Sequence, residues 1–258
     1  MPLFTIITVV YNAEKMLEGT IQSVLQQICT DYEYIIIDGK SSDGTTAIVH
    51  KYKSKIDKYI SEPDGGIYDA MNKGLGIAEG NWVYFLNAGD RFANNSVLST
   101  VAADSLYNEQ AIVCGRVILK DNTKNTTLNQ HYPRFRVANQ NYRRLFASAF
   151  CHQALFIPRE AYIKVGGFNL HFKTFSDFNS VVNLLKKGYK VYYIDTVIAE
   201  YDINGGSANW KFAKRNYYEK EEMLALAGHK KSFLLRVAGI IKLELFILRK
   251  TLYHARFK

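Results

Sequence analysis

The stretch NWVYFLNAGD, residues 81–90, decides the fold. Trp82, Val83, Tyr84, Phe85 and Leu86 form an aromatic and aliphatic run too short for a typical helix. It reads as a central strand buried on both faces. The run stops abruptly at Asn87-Ala88-Gly89-Asp90, where the chain turns polar. Ligands of open α/β sheets bind just beyond the carboxyl ends of the strands. An Asp there, behind a Gly that lets the backbone approach closely, suits a divalent cation on a phosphate. Asn, Gly and Asp are also ordinary turn residues, so the chain on either side must choose between the two readings.

Upstream, residues 3–10 make a β-branched buried strand, and Asn12 after it can cap a helix. In that helix Leu17, Ile21, Val24, Leu25 and Ile28 form one apolar stripe. Residues 34–37 form a second strand that stops at Asp38. A polar turn follows, and its end caps a helix over residues 45–52. A short strand over 58–61 leads into the loop Glu62-Pro63-Asp64-Gly65-Gly66. Ile67, Ala70, Met71, Leu75 and Ala78 then give a third amphipathic helix. Strands alternating with helices, with polar loops at the strand ends, predict a sheet wound on both sides.

Downstream, the pattern predicts a helix over 97–106, a strand over 111–119 and a long loop over 121–136. Further strands are expected at 153–157, 189–194 and 197–201. Helices are expected at 160–165, closed by Gly166-Gly167, and from Asp177 to Gly188. Residues 203–207 read as a flexible loop, and two helices finish the chain. No P-loop is present and no GxGxxG follows a strand, which leaves kinase-like and NAD-binding readings little support.

At 258 residues and 48% hydrophobic content, the chain suits one large domain, or a domain with an appendage. Cys29, Cys114 and Cys151 form no CxxC and cannot all pair, which fits a reducing compartment. The first residues read as a strand, not a signal peptide. No apolar run reaches membrane-span length. From His229 onward there are eight Lys or Arg against one acid, Glu244, which leaves +7 of the chain's +9 in the tail. Nucleic acid is the first thought for such a balance, yet residues 232–257 mix those charges with many Leu, Ile and Phe. A basic amphipathic helix on an anionic membrane fits both properties. A helix packed on the body or in a homodimer is the alternative. No nucleic-acid partner is expected.

Four motifs in order, TVVYN, IIIDGKSSDGT, SEPDGGIYDAMNKG and FLNAGD, resemble the family 2 glycosyltransferases of the GT-A fold. CHQALF, GGF and SDFNSVVNLLKKGYKVYYI continue the match, so that it covers roughly residues 1–207. The relatives it resembles assemble bacterial capsule, exopolysaccharide and lipopolysaccharide O-antigen. The resemblance implies an α/β, Rossmann-like fold with a mostly parallel central sheet, helices on both faces and added C-terminal helices. It implies a transferase domain over 1–208, with a nucleotide-sugar half at 1–115 and an acceptor half at 116–208, and a helical extension at 209–258. It also implies an inverting, metal-dependent transfer of one hexosyl or N-acetylhexosaminyl unit. The donor would be a nucleotide-diphosphate sugar, UDP-linked first, and the acceptor a lipid-linked or saccharide hydroxyl. The place would be the cytoplasm, or peripherally the inner face of the cytoplasmic membrane.

Residue by residue, Asp38 resembles the contact to the nucleotide base, and Thr8, Tyr11 and Asn12 would line the same pocket. Asp43 is either a nucleotide contact or a helix cap. Asp64, Asn72, Asn87, Ala88 and Gly89 fall in the matching donor motifs. Asp90 matches the metal ligand, for Mg²⁺ or Mn²⁺, and Asp177 matches the catalytic base, with a helix cap as the alternative. His152 and Gln153 are candidates for contact with diphosphate or acceptor. Many relatives carry Asp where Asn87 and Gly89 stand, Arg where Met71 stands, and Glu before the base where Ser176 stands. Two other functions stay open: a nucleotidyltransferase, disfavoured because TVVYNAE is not a Gly-rich basic loop, and a non-catalytic nucleotide-sugar or carbohydrate-binding scaffold, to which Asn87 points.

Overall fold

The computed structural model describes residues 1–104, 111–121, 126–131, 151–202, 212–226, 228 and 233–256. The run at 82–85 is strand β4 (Trp82–Phe85), and every residue of it is buried. It lies parallel to β1 (Phe4–Val10), which lies parallel to β2 (Tyr32–Asp38), which lies parallel to β3 (Lys58–Ser61). All seven residues of β1 are buried, as a strand covered on both faces requires. Helices α1 (Leu17–Leu25), α2 (Thr45–Lys51) and α3 (Ile67–Ile77) are the crossovers. Helix α3 comes very close to the sheet at Gly74. A Cβ there would sit 2.7 Å from Ile7 Cγ2 and 3.3 Å from Ile37 Cγ1, so only glycine allows this approach.

The sheet continues past β4 as one surface. After β5 (Arg91–Phe92) and α4 (Val97–Asp104), strand β6 (Ala111–Asp121) pairs with β7 (Thr126–His131). Strand β8 (Leu155–Pro158) is antiparallel to both β4 and β6 and joins the two halves. Helices α5 (Arg159–Val165) and α6 (Ser176–Lys186) precede β9 (Lys190–Asp202), which is parallel to β6 and antiparallel to β5. The order is β3-β2-β1-β4-β8-β6-β9-β5, with β7 beside β6. The first half is purely parallel and the second is mixed. Helices α7 (Ala213–Leu226) and α8 (Phe233–Arg256) end the chain.

Aromatic side chains lock the junction. Tyr84 stacks on Phe156 of β8 at 4.4 Å between centroids and on Phe92 of β5 at 5.1 Å. Phe85 meets Phe168 edge-on at 5.1 Å, and Phe168 stacks on Tyr68 of α3. The aromatic run that marks the central strand in the sequence is therefore also what fixes the second half to the first.

Several expectations are corrected. Asn12 caps no helix: α1 begins at Leu17, and Asn12 (φ 48°) instead accepts the Ser42 N–H at 2.8 Å. Ile28 leaves the apolar stripe and is exposed. The loop expected over 121–136 contains β7, whose partner is the backbone of β6. The two strands expected at 189–194 and 197–201 are one strand, β9, with a register shift opposite Cys114–Val117. His152 and Gln153 do not start a strand but form a 3-10 turn, His152–Ala154, before it. Residues 203–207 lie outside the described residues, as do 105 and 106, the last two of the helix expected over 97–106.

Candidate active site

Strands β1, β2 and β4 end on the same side of the sheet, and the loops after them meet there. The loop after β1 is tied to the loop after β2. The Asn12 N–H donates to Ser41 Oγ at 2.8 Å, Glu14 N–H to Asp43 Oδ2 at 3.1 Å, and Ala13 N–H to Thr45 Oγ1 at 2.8 Å. Asp43 also accepts the Thr45 N–H at the start of α2, from one residue before the capping position, which Gly44 holds. Its pKa is held below the usual value, first by the Thr45 hydroxyl and then by these backbone donors.

Asp38 is fully buried. One oxygen accepts the Ser41 N–H and hydroxyl, at 3.0 and 2.5 Å, and the other accepts the Ser61 hydroxyl at 2.6 Å. It shapes the loop from within. Thr8 is also fully buried: its hydroxyl donates to the Leu86 carbonyl and sits 3.0 Å from Tyr34 Oη, so it ties β1 to β4 and lines no open surface. Asn72 spends both amide atoms on Phe168, donating to its carbonyl and accepting its N–H, each at 2.8 Å. Tyr11, at 65% exposure, and Asn12 face outward, and Asp43 and Asp64 are half-buried. Asp64 Oδ2 fills the space above Gly39, 2.5 Å from where a Cβ would stand, and the Tyr11 ring is 3.3 Å from the same point. A flat ring beside a carboxylate is a suitable seat for a base with N–H donors.

The loop after β4 turns at Gly89, whose φ of 104° favours glycine. Its N–H donates to Thr20 Oγ1, and the Thr20 hydroxyl donates to the Asp90 carbonyl. The Ala88 N–H donates to the Val9 carbonyl. Asp90 is 4% exposed. Its carboxylate accepts Gln153 Nε2 at 2.9 Å and the Asp202 N–H at 3.1 Å. Burial pushes its pKa up to about 6, against the lowering effect of these bonds.

Across from that loop lies the first turn of α6. Asp177 does not cap this helix; Phe175 holds the capping position. One oxygen of Asp177 is 3.0 Å from Tyr68 Oη and the other is 3.1 Å from His152 Nδ1. His152 Nε2 lies 3.0 Å from Asn87 Nδ2. A chain Tyr68–Asp177–His152–Asn87 therefore links α3, the first turn of α6, the turn before β8 and the loop after β4. Burial alone raises the Asp177 pKa, but the hydrogen bond from His152, the Phe178 N–H and Tyr68 lower it further, so the carboxyl lies below its ordinary value.

Residues 5–166 match the model of Glycosyl transferase family 2. The PGL/p-HBAD biosynthesis glycosyltransferase of Mycobacterium tuberculosis is 30% identical over 213 residues, 81% of this chain and 80% of that protein. The chain belongs to glycosyl transferase family 2. This family 2 chain is also 28% identical over 229 residues to TuaG of Bacillus subtilis, which is named for teichuronic acid biosynthesis, covering 86% and 88% of the two chains. Among solved structures it resembles S. aureus TarS 1-349 in complex with UDP-GlcNAc, with TM-score 0.69, 19% identity, and 88% and 66% coverage. It spans 39% of the longer TarS chain. The mannosyltransferase PcManGT from Pyrobaculum calidifontis, solved with GDP-Man and Mn²⁺, gives TM-score 0.65, 18% identity, and 95% and 70% coverage. These likenesses show the GT-A fold.

Among the described residues no three His, Cys, Asp or Glu side chains gather as a metal-ligand group. The loop after β4 still offers oxygen. Asn87 Oδ1 is buried and accepts no hydrogen bond, and Asp90 supplies the negative charge three residues on. Such donors suit a Mg²⁺ or Mn²⁺ ion that shares its shell with a diphosphate and water.

Proposed function

We propose that this family 2 glycosyltransferase moves one hexosyl or N-acetylhexosaminyl unit from a nucleotide-diphosphate sugar, UDP-linked first, to a saccharide or lipid-linked hydroxyl with inversion. The observation that carries this reading is Asp177, one-fifth exposed, held across the cleft from the strand-end loops by His152 and Tyr68. Tyr11 and Asp64 seat the base. Asp177 takes the acceptor proton as the oxygen attacks the anomeric carbon from the face opposite the leaving group. Asp90 and Asn87 would hold Mg²⁺ or Mn²⁺, which supplies charge neutralisation on the diphosphate when bound. The names of the mycobacterial relative and of TuaG support a role in surface glycolipid or polysaccharide synthesis. The test is release of nucleotide diphosphate from a panel of UDP-glucose, UDP-galactose, UDP-N-acetylglucosamine and GDP-mannose, with saccharide acceptors. One donor should be consumed only with acceptor, and excess chelator should stop it. Full turnover in chelator removes the cation from the mechanism.

The tail extends the reading to a membrane surface. On α8, Leu243 is buried, and Tyr217 of α7 closes over Gly239. Ile241, Leu245, Phe246 and Leu248 are exposed beside Lys242, Arg249 and Lys250. No described helix is long and apolar enough to cross a bilayer. An apolar strip flanked by cations lies on an anionic surface. Deletion after Gly228 should abolish sedimentation with phosphatidylglycerol vesicles and leave donor turnover intact. High salt should weaken vesicle binding of the full chain, since screening acts over about 10 Å at 0.1 M. A truncated chain that unfolds or changes its oligomeric state would instead make α8 a packing element.

A further inference from the structure

His152 is held from both sides of its ring. With Asn87 Nδ2 donating to Nε2 at 3.0 Å, the ring proton sits on Nδ1 and donates to Asp177 at 3.1 Å. Asn87 belongs to the loop after β4, and Asp177 to the first turn of α6. One imidazole thus spans the donor side and the acceptor side of the cleft. The turn that carries it is anchored by buried groups. Tyr84 Oη donates to the Gln153 carbonyl at 2.6 Å, and the Gln153 side chain, 2% exposed, donates to Asp90 and accepts from Cys151 Sγ. His152 is therefore fixed by the central strand and not by its own exposed surface.

We propose that His152 is the positioning residue for Asp177, an imidazole clamp that aims the carboxylate at the acceptor and couples its orientation to the loop that receives the donor. The proposal rests on the reading of Asp177 as the base. In the step it serves, the acceptor O–H bond breaks and its proton goes to Asp177. The oxygen's electron pair forms the bond to the anomeric carbon. The bond from that carbon to the diphosphate oxygen breaks, and its pair leaves with the nucleotide diphosphate. The Nδ1 proton of His152 stays on the ring throughout. With the free rotation of a carboxylate about its χ2 removed, one oxygen stays engaged and its remaining lone pair has a fixed direction.

The groups facing Asp177 are known from each element around it. They are Tyr68 from α3, Tyr162 from α5, and His152 with Cys151 from the turn before β8. Asp90 stands behind His152 in the loop after β4. Burial works to neutralise the carboxyl, and His152 heads the groups that oppose it. Without the imidazole the balance moves toward burial, and the Asp177 titration moves to higher pH.

The experiment is a ¹³C-carboxyl NMR titration of Asp177 in the full chain, as wild type, H152A and H152N, with D177N to assign the signal. The expected result is an Asp177 titration at higher pH in H152A. In H152N, whose amide can donate to the same oxygen, it should return toward wild type. In the wild type the ¹⁵N shifts of His152 should place the proton on Nδ1, and D177N should lose that preference. In transfer assays with the donor panel above, H152A should lower kcat by about 10²-fold with donor KM unchanged, and H152A/D177N should be no slower than D177N. An Asp177 titration unshifted in H152A, or a double variant far below D177N, overturns the clamp. Should H152A fail to fold, H152L, which has no donor and fills more of the space, takes its place, and the same unshifted titration overturns the clamp. A wild-type transfer rate in D177N removes the base reading instead, a result distinct from an unshifted titration with D177N inactive.

Discussion

Asp177→Asn lowers the sugar-transfer rate by about 10²–10⁴-fold, the usual contribution of a positioned proton acceptor. Donor binding and thermal stability stay close to wild type. Sugar hydroxyls are weak acids, so attack at neutral pH needs a base within hydrogen-bond reach of the hydroxyl. Asp177 is ionised there, because its neighbours hold its pKa below the ordinary value despite burial. It also stands in the first turn of α6, where the helix dipole favours negative charge. Asn keeps the shape, but its amide group is no base. It can still meet Tyr68 and His152, which is why little stability is lost. Steady-state kinetics with isothermal titration of donor separates the two effects. The product should carry inverted anomeric configuration, and retention would remove the single-displacement mechanism. An unfolded Asp177→Asn variant whose surviving fraction transfers normally would return Asp177 to a structural role.

The second large effect concerns stability against pH. Asp90 has its folded-state pKa pushed up to about 6 by burial, from the ordinary 3.8. Between those two values the folded state binds the proton more tightly than the unfolded chain. Its stabilising share is therefore complete below the lower value and is lost as pH rises through the upper one. Two pKa units amount to about 3 kcal/mol. Asp90→Asn removes this loss and gives up about 1 kcal/mol, for a hydrogen bond that the amide cannot accept. In chelator the variant should be nearly level with wild type near pH 4 and more stable by about 2 kcal/mol at pH 7. Urea unfolding at the two pH values reads this directly. The same variant should lose most of its turnover. A charge that costs stability at neutral pH and is kept in a strand-end loop is expected of a functional group. Parallel pH profiles for the two proteins would mean that Asp90 is not strained by burial.

How much of this was legible in the sequence depends on whether the cause was local. The parallel half could be read because its strands are continuous apolar runs and its crossovers carry apolar stripes. Strand β3 falls at residues 58–61 as expected, and α3 opens at Ile67. Strand β7 was hidden because TTLNQH has no apolar alternation, and its strand character comes from pairing with β6. Two-residue β5 exists only through β9. The site shows the same division. Asp177 and His152 were named from their motifs, but nothing in the sequence joined residues 87, 152 and 177 into one chain of hydrogen bonds. Thr8, Asp38 and Asn72 carry polar groups that suit a ligand, and each also bonds within the protein. Partners separated by up to 96 residues, as for Asn72 and Phe168, are invisible to local reading.

Strand β8 is paired on one edge with β4 and on the other with β6, so the parallel first half and the mixed second half share one hydrogen-bonded sheet. Two-lobed enzymes that clamp their substrates do so by swinging one lobe about a linker. That motion is closed to this chain, because opening a hinge here means tearing a buried ladder. Whatever adjusts to an arriving donor has to be small and local: the loops at the strand ends, side-chain rotations, the tail. The enzyme is in this sense a fixed bench with movable jaws. In the proposed mechanism, selectivity between sugars rests with those loops, and the distance between leaving group and base is set when the chain folds.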